Sequence, residues 1–128
     1  MGQKFLIDTN VVIDVLGSSM PTHIKTNILY LPLIVSAVTY MEILGWHGAT
    51  PSQIHILKTF MSSAIILPID QPIMEKTIFV RQQKRIGLGD AIIAATGLVH
   101  NMTVVTRNVS DFISIPGLQV LNPWCDNT

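Results

Sequence analysis

Short apolar runs rich in β-branched residues alternate along the chain with longer stretches of helical periodicity. Lys4–Ile7 predicts a first strand, and Thr9–Leu16 a helix burying Val11, Val12, Val15 and Leu16 that stops at Gly17-Ser18-Ser19. His23–Leu31 predicts a second short helix and Leu33–Val35 a buried strand, after which Ser36 caps a helix running to Trp46. Thr50-Pro51-Ser52-Gln53 has the pattern of a capping box with proline at the first helical position, so a helix is expected over Pro51–Ser62. Ala64–Leu67 is the third expected strand. Asp70 caps a long helix over Gln71–Ile86, closed by Gly87, and Asp90 opens the next, which ends near Asn101. Thr103–Val105 and Leu118–Leu121 complete the strands. This alternation predicts an α/β layer structure with a mostly parallel central sheet, and such sheets place their sites beyond the carboxyl ends of their strands.

At 128 residues the chain suits a single domain over 1–128, with a core that needs no disulfide. Charged residues make up 12% and hydrophobic residues 48%, against around 25% charged in an average domain, so the surface is short of charge. A partner chain or a second copy is expected to cover part of it. The net charge of zero supplies no overall attraction for nucleic acid, so RNA binding would need a local basic patch. Cys125 has no cysteine to pair with, which fits a reducing compartment. The longest apolar stretch, Ile28–Val38, is broken by Pro32 and Ser36, and the start of the chain has neither a signal-peptide nor a myristoylation pattern. A cytoplasmic protein without membrane attachment is expected.

Four of the eight acidic residues fall where a site would form. Asp8 directly follows the first strand, and Asp111 lies in the loop after Thr103–Val105. Asp90 heads a helix whose own face carries Ile93, Ala94, Gly97 and Leu98. Glu42 has Val38, Gly45 and Trp46 as helical neighbours, an apolar stripe on which a buried carboxylate would need a cation, a proton or a cluster of donors. Converging carboxylates repel by roughly 4 kcal/mol per pair at 4 Å and an effective dielectric near 20, a burden that a divalent ion reverses. An all-oxygen donor set selects Mg²⁺ or Mn²⁺, and His23, His47, His55 and His100 have no zinc-ligand spacing. Each acid also has a purely structural reading. Asp8, Asp90 and Asp111 can serve as helix or turn caps, and Glu42 can face water.

The segment Phe5-Leu6-Ile7-Asp8-Thr9-Asn10 resembles the opening motif of PIN-domain nucleases. Ser36–Gly45 around Glu42, Gly89–Thr96 around Asp90 and Thr106–Phe112 around Asp111 resemble the second, third and fourth motifs, in order. The ending Ile115–Pro123 is similar to that of VapC-type toxins, and the likeness spans about residues 4 to 123. It implies a Rossmann-like α/β/α sandwich, often dimeric, that cleaves RNA as the toxin of a type II toxin–antitoxin system and is silenced by a cognate VapB-type antitoxin. The resemblance carries the catalytic and metal-site role to Asp8, Glu42, Asp90 and Asp111, with Thr106 and Asn108 in support. Family members often have proline where Gly89 stands.

Arg81, Lys84, Arg85 and Arg107 are the candidate RNA contacts, although the first three can also serve the dipole at a helix end. Tyr40 and Trp46 are expected in the core. Two other readings stay open: an inactive PIN fold acting as an RNA- or partner-binding scaffold, and a Mg²⁺-dependent phosphotransfer domain. Against the latter, Asn10 stands where an aspartate phosphatase has its second acid.

Overall fold

The computed structural model describes residues 2–125. Five three-residue strands, β1 (Phe5–Ile7), β2 (Ile34–Ser36), β3 (Ile65–Leu67), β4 (Thr103–Val105) and β5 (Gln119–Leu121), alternate with seven helices. These are α1 (Thr9–Leu16), α2 (Thr22–Leu29), α3 (Ala37–Leu44), α4 (Pro51–Met61), α5 (Gln71–Gln83), α6 (Leu88–His100) and the single turn α7 (Val109–Phe112). Every pairing is parallel: β1 with β4, β4 with β5, and β2 with β3. β2 lies beside β1, which brings the two sheets edge to edge.

The alternation of strand side chains divides the core into two layers. Leu6 and Val104 join Ala91, Ile93 and Ala94 of α6 and Phe112 of α7 on one side. Ile7 and Val105 join Val11, Val12 and Val15 of α1 with Ile24 and Ile28 of α2 on the other. Helices therefore cover both sides, and the sheet is the middle of an α/β/α sandwich. The register sets Ile7 opposite Val105, so β1 and β4 end level, with Asp8 donating its N–H to the Val105 carbonyl at 2.9 Å.

The side-chain caps form at the expected residues. Ser36 accepts from the Val38 amide, Asp70 from that of Ile73, and Thr50 and Gln53 complete a reciprocal capping box. Several boundaries differ from expectation, among them the ends of α2 at Leu29 and of α3 at Leu44. α5 ends at Gln83 because the chain turns extended at Lys84, with φ −154° and ψ 144°. α6 begins at Leu88 behind Gly87, which makes Asp90 the third helical residue and not the cap. Asp111 sits within the helical turn α7 and not in an open loop. Trp46 is 53% exposed because α3 stops at Leu44, which carries the tryptophan past the end of the helix, while Tyr40 packs against the core as expected.

Candidate active site

The turn from β1 into α1 places Asp8 at the base of the site, 2% exposed. Its Oδ1 accepts from the Thr9 amide at 2.8 Å, one residue short of the second- or third-position amide that an ordinary N-cap takes. Its Oδ2 accepts from the Thr106 hydroxyl at 2.7 Å and from Asn10 Nδ2 at 3.0 Å. Burial raises the carboxyl above the ordinary aspartate value and outweighs these three bonds, and the charge of Glu42 adds to the rise.

Thr106 and Asn10 are themselves fixed. Thr106, fully buried, accepts from the Asn108 amide at 3.0 Å, so Asn108 contributes through its backbone. Asn10 Oδ1 accepts from the Arg107 amide at 3.1 Å. The ends of β1 and β4 are thereby laced together around one carboxylate.

Glu42 is exposed, contrary to the buried position expected for it, because α3 turns that face outward and buries Thr39 and Ile43. What holds it is a hydroxyl pair. Thr9 Oγ1 lies 2.6 Å from Glu42 Oε1 and 3.0 Å from Thr39 Oγ1. Thr9 has one hydroxyl proton, which the carboxylate takes as the stronger acceptor, so the fully buried Thr39 hydroxyl donates to Thr9. A Cβ at Gly89 would stand 3.1 Å from Glu42 Oε2, which puts this carboxylate at the head of α6 beside Asp90.

Asp90 is half-buried, and its carboxyl is raised by burial first, then by Asp8, Asp111 and Glu42 in turn. All four acids thus share one electrostatic neighbourhood beyond the carboxyl ends of β1 and β4. The rim is open: among the described residues no three His, Cys, Asp or Glu side chains are drawn close enough to enclose an ion. Glu42, held by the Thr9 hydroxyl, and Asp111 are both exposed, and like charges oppose a closer approach of the carboxylates. The donors are all oxygens, two of them on carboxyls raised above their ordinary value, and this chemistry fits a hard divalent cation.

The basic candidates separate. Arg107 pairs through Nε with Asp14 Oδ2 at 2.9 Å, and the same oxygen accepts from Trp124 Nε1 at 3.1 Å. Arg81 Nε donates to the Ile86 carbonyl, and Lys84 Nζ to the Asp111 carbonyl and Ser114 Oγ. Arg81, Lys84 and Arg85 line an open groove of about 410 Å³. Lys84 and Arg85 lie past the end of α5, so only Arg81 stands in its last turn. A second groove, apolar and about 550 Å³, runs between α1, α3 and α4 and is lined by Ile13, Trp46, Ile56 and, at its edge, Glu42.

Sequence reasoning missed the roles of Thr9, Asn10 and Thr39 and the Asp14–Arg107 pair. Thr9 was within reach, since it adjoins Asp8 at the head of a helix. Nothing in the spacing of Thr39 or Asp14 marks the side chains they meet, 30 and 93 residues away in sequence.

Residues 5–118 match the family model described as PIN domain. The tRNA(fMet)-specific endonuclease VapC of Salmonella typhimurium is 28% identical over 134 residues, covering 95% of this chain and 98% of the relative. Toxin FitB of Neisseria gonorrhoeae is 29% identical, with 94% of this chain and 99% of the relative covered. Among solved structures, a chain of a toxin–antitoxin complex from Klebsiella pneumoniae superposes with a TM-score of 0.78 at 32% identity, covering 94% of this chain and 98% of the other.

Proposed function

The chain belongs to the PIN-domain family and resembles its VapC-type toxins, and on that premise we propose that it is a Mg²⁺- or Mn²⁺-dependent endoribonuclease held silent by a cognate VapB-type antitoxin. The observation that supports this most is electrostatic: burial and three neighbouring carboxylates act on Asp90 together, a cost that a divalent cation would relieve. In this reading Asp8 and Asp90 hold the cation most directly, and Glu42 and Asp111 complete its surroundings or orient the attacking water. When bound, the ion supplies Lewis acidity, neutralising charge on the phosphoryl oxygens and lowering the pKa of that water.

The chain's own residues do the positioning. Thr106, Asn10 and the Thr9 amide fix the Asp8 carboxylate, leaving one acceptor position on Oδ1 uncommitted. Thr9 holds Glu42 toward the same rim. Attack of water on phosphorus forms one P–O bond and breaks the bond to the 3′ oxygen, giving a 5′-phosphate and a 3′-hydroxyl, with one proton passing to the leaving oxygen. The groove bearing Arg81 and Arg85 suits the flanking phosphates.

The partners follow the surface. The apolar groove whose lining includes Glu42 suits an amphipathic antitoxin segment, which would cover Trp46 and Ile56 and block the rim. The exposed face of α5, with Met74, Ile78 and Phe79, suits a second copy of the chain. The direct test is cleavage of a fluorogenic RNA with Mn²⁺. Asp8→Asn and Asp90→Asn are expected to reduce it by at least about 100-fold with the fold intact, since each removes a ligand. Undiminished cleavage in both variants would refute the site.

A further inference from the structure

Lys84 is placed by its backbone. It follows the last residue of α5 in an extended conformation, which lifts the side chain off the helix and sends it across to α7. There Nζ donates to the Asp111 carbonyl at 2.8 Å and to Ser114 Oγ at 2.8 Å, acceptors 27 and 30 residues away. Two of the three ammonium hydrogens are thereby committed.

The element it reaches cannot hold itself. α7 has four residues, a single turn whose formation is unfavourable alone, and Asn108 supplies no side-chain cap. Its other anchors are Phe112, fully buried, the backbone bonds from Asp111 to Asn108 and from Ile113 to Val109, and at its head the Asn108 amide bond to Thr106. Phe112 fixes one face of the turn. Asp111 stands on the exposed face, where the carbonyl it gives to Lys84 is a charge-assisted contact. One turn earlier, Arg81 ties the same α5–α6 connection through the Ile86 carbonyl, so the anchor point is itself restrained.

We propose that Lys84 is a positioning residue that braces α7 and so holds the Asp111 carboxylate at the acidic rim, in place of the phosphate contact its charge suggests. This rests on the reading of Asp111 as a metal-site residue. It also explains why the connection between α5 and α6 leaves the helix early: an α-helical Lys84 would have its side chain directed back along α5.

The experiment uses the full chain without RNA. Mn²⁺ affinity is measured by calorimetry for wild type, Lys84→Met, Asp111→Asn and the double variant, and α7 amide exchange is followed in each. Lys84→Met is expected to speed exchange at the Asp111 and Ile113 amides and to weaken Mn²⁺ binding about 10-fold. Adding it to Asp111→Asn is expected to cost no more, and Lys84→Arg should restore part of both readouts. Unchanged exchange and Mn²⁺ affinity in Lys84→Met, with salt-dependent loss of RNA binding, would overturn the brace in favour of a phosphate contact. Faster exchange in Lys84→Met, with Mn²⁺ affinity unaltered in Asp111→Asn, would uphold the brace and overturn Asp111 as a ligand.

Discussion

Two threonines and two aspartates decide how the site works at the scale of single residues. Thr9 is the donor that turns an exposed glutamate toward the rim, so Thr9→Val is expected to weaken Mn²⁺ binding about 10- to 100-fold and Thr9→Ser to retain it, as calorimetry would measure. Burial, then the three neighbouring acids, raise Asp90, and burial raises Asp8, so the folded chain holds these protons more tightly than the unfolded one. Their contribution to stability is fully present below the ordinary aspartate value of 3.8 and is lost as pH rises through the raised folded values. The metal-free protein therefore carries a penalty near neutral pH. Asp90→Asn should raise its thermal midpoint at about pH 7, by roughly 2–4 °C per kcal/mol relieved, with the gap closing toward acid. Added Mg²⁺ should stabilise wild type more than the variant. Asp8 was legible because it follows an apolar strand directly. Its hydrogen-bonding shell was less so, since Thr106 meets it across 98 residues of sequence and through a strand pairing that no local pattern reveals.

Among the elements, α6 carries Asp90 and determines how close its helix lies to the sheet. A Cβ at Gly97 would meet Val104 Cγ2 and Leu118 Cδ1 at 3.0 Å and the Met102 carbonyl at 3.3 Å. Alanine in place of glycine gains about 1 kcal/mol of helix propensity, but Val104 is fully buried and the carbonyl is backbone, so neither can yield cheaply. Overpacking of about 1–3 kcal/mol therefore outweighs the gain, and urea denaturation should find Gly97→Ala less stable than wild type. Where a side chain caps a helix, the sequence announces the start: Ser36, Thr50 with Gln53, and Asp70 are all legible. The head of α6 is not, because Gly87 caps it without a side chain and Leu88-Gly89 add no periodic signal, so Asp90 imitates a cap from the third position. The end of α5 was hidden for a related reason: the chain turns extended at Lys84, and Arg81 and Lys84 bond to residues beyond the helix that its own periodicity does not mark.

Across the whole molecule, a chain with 12% charged residues leaves apolar faces exposed, and among the described residues these include the α5 face and the groove between α1, α3 and α4. The shortage of charge was visible in composition, whereas the location of the faces was not: Trp46, expected in the core, is part of the groove. Sedimentation should show Ile78→Glu shifting the chain toward monomer, with self-association weakened at least about 10-fold by a charge placed in an apolar interface. The proposed activity depends on four acids, drawn from α3, α6, α7 and the end of β1, holding divalent metal together. Calorimetric titration of Mn²⁺ into wild type and Asp8→Asn tests that sharing most directly. Saturable uptake by wild type is expected, lost or weakened at least about 10-fold in Asp8→Asn; absence of uptake by wild type, or equal uptake by both proteins, would contradict a shared metal site.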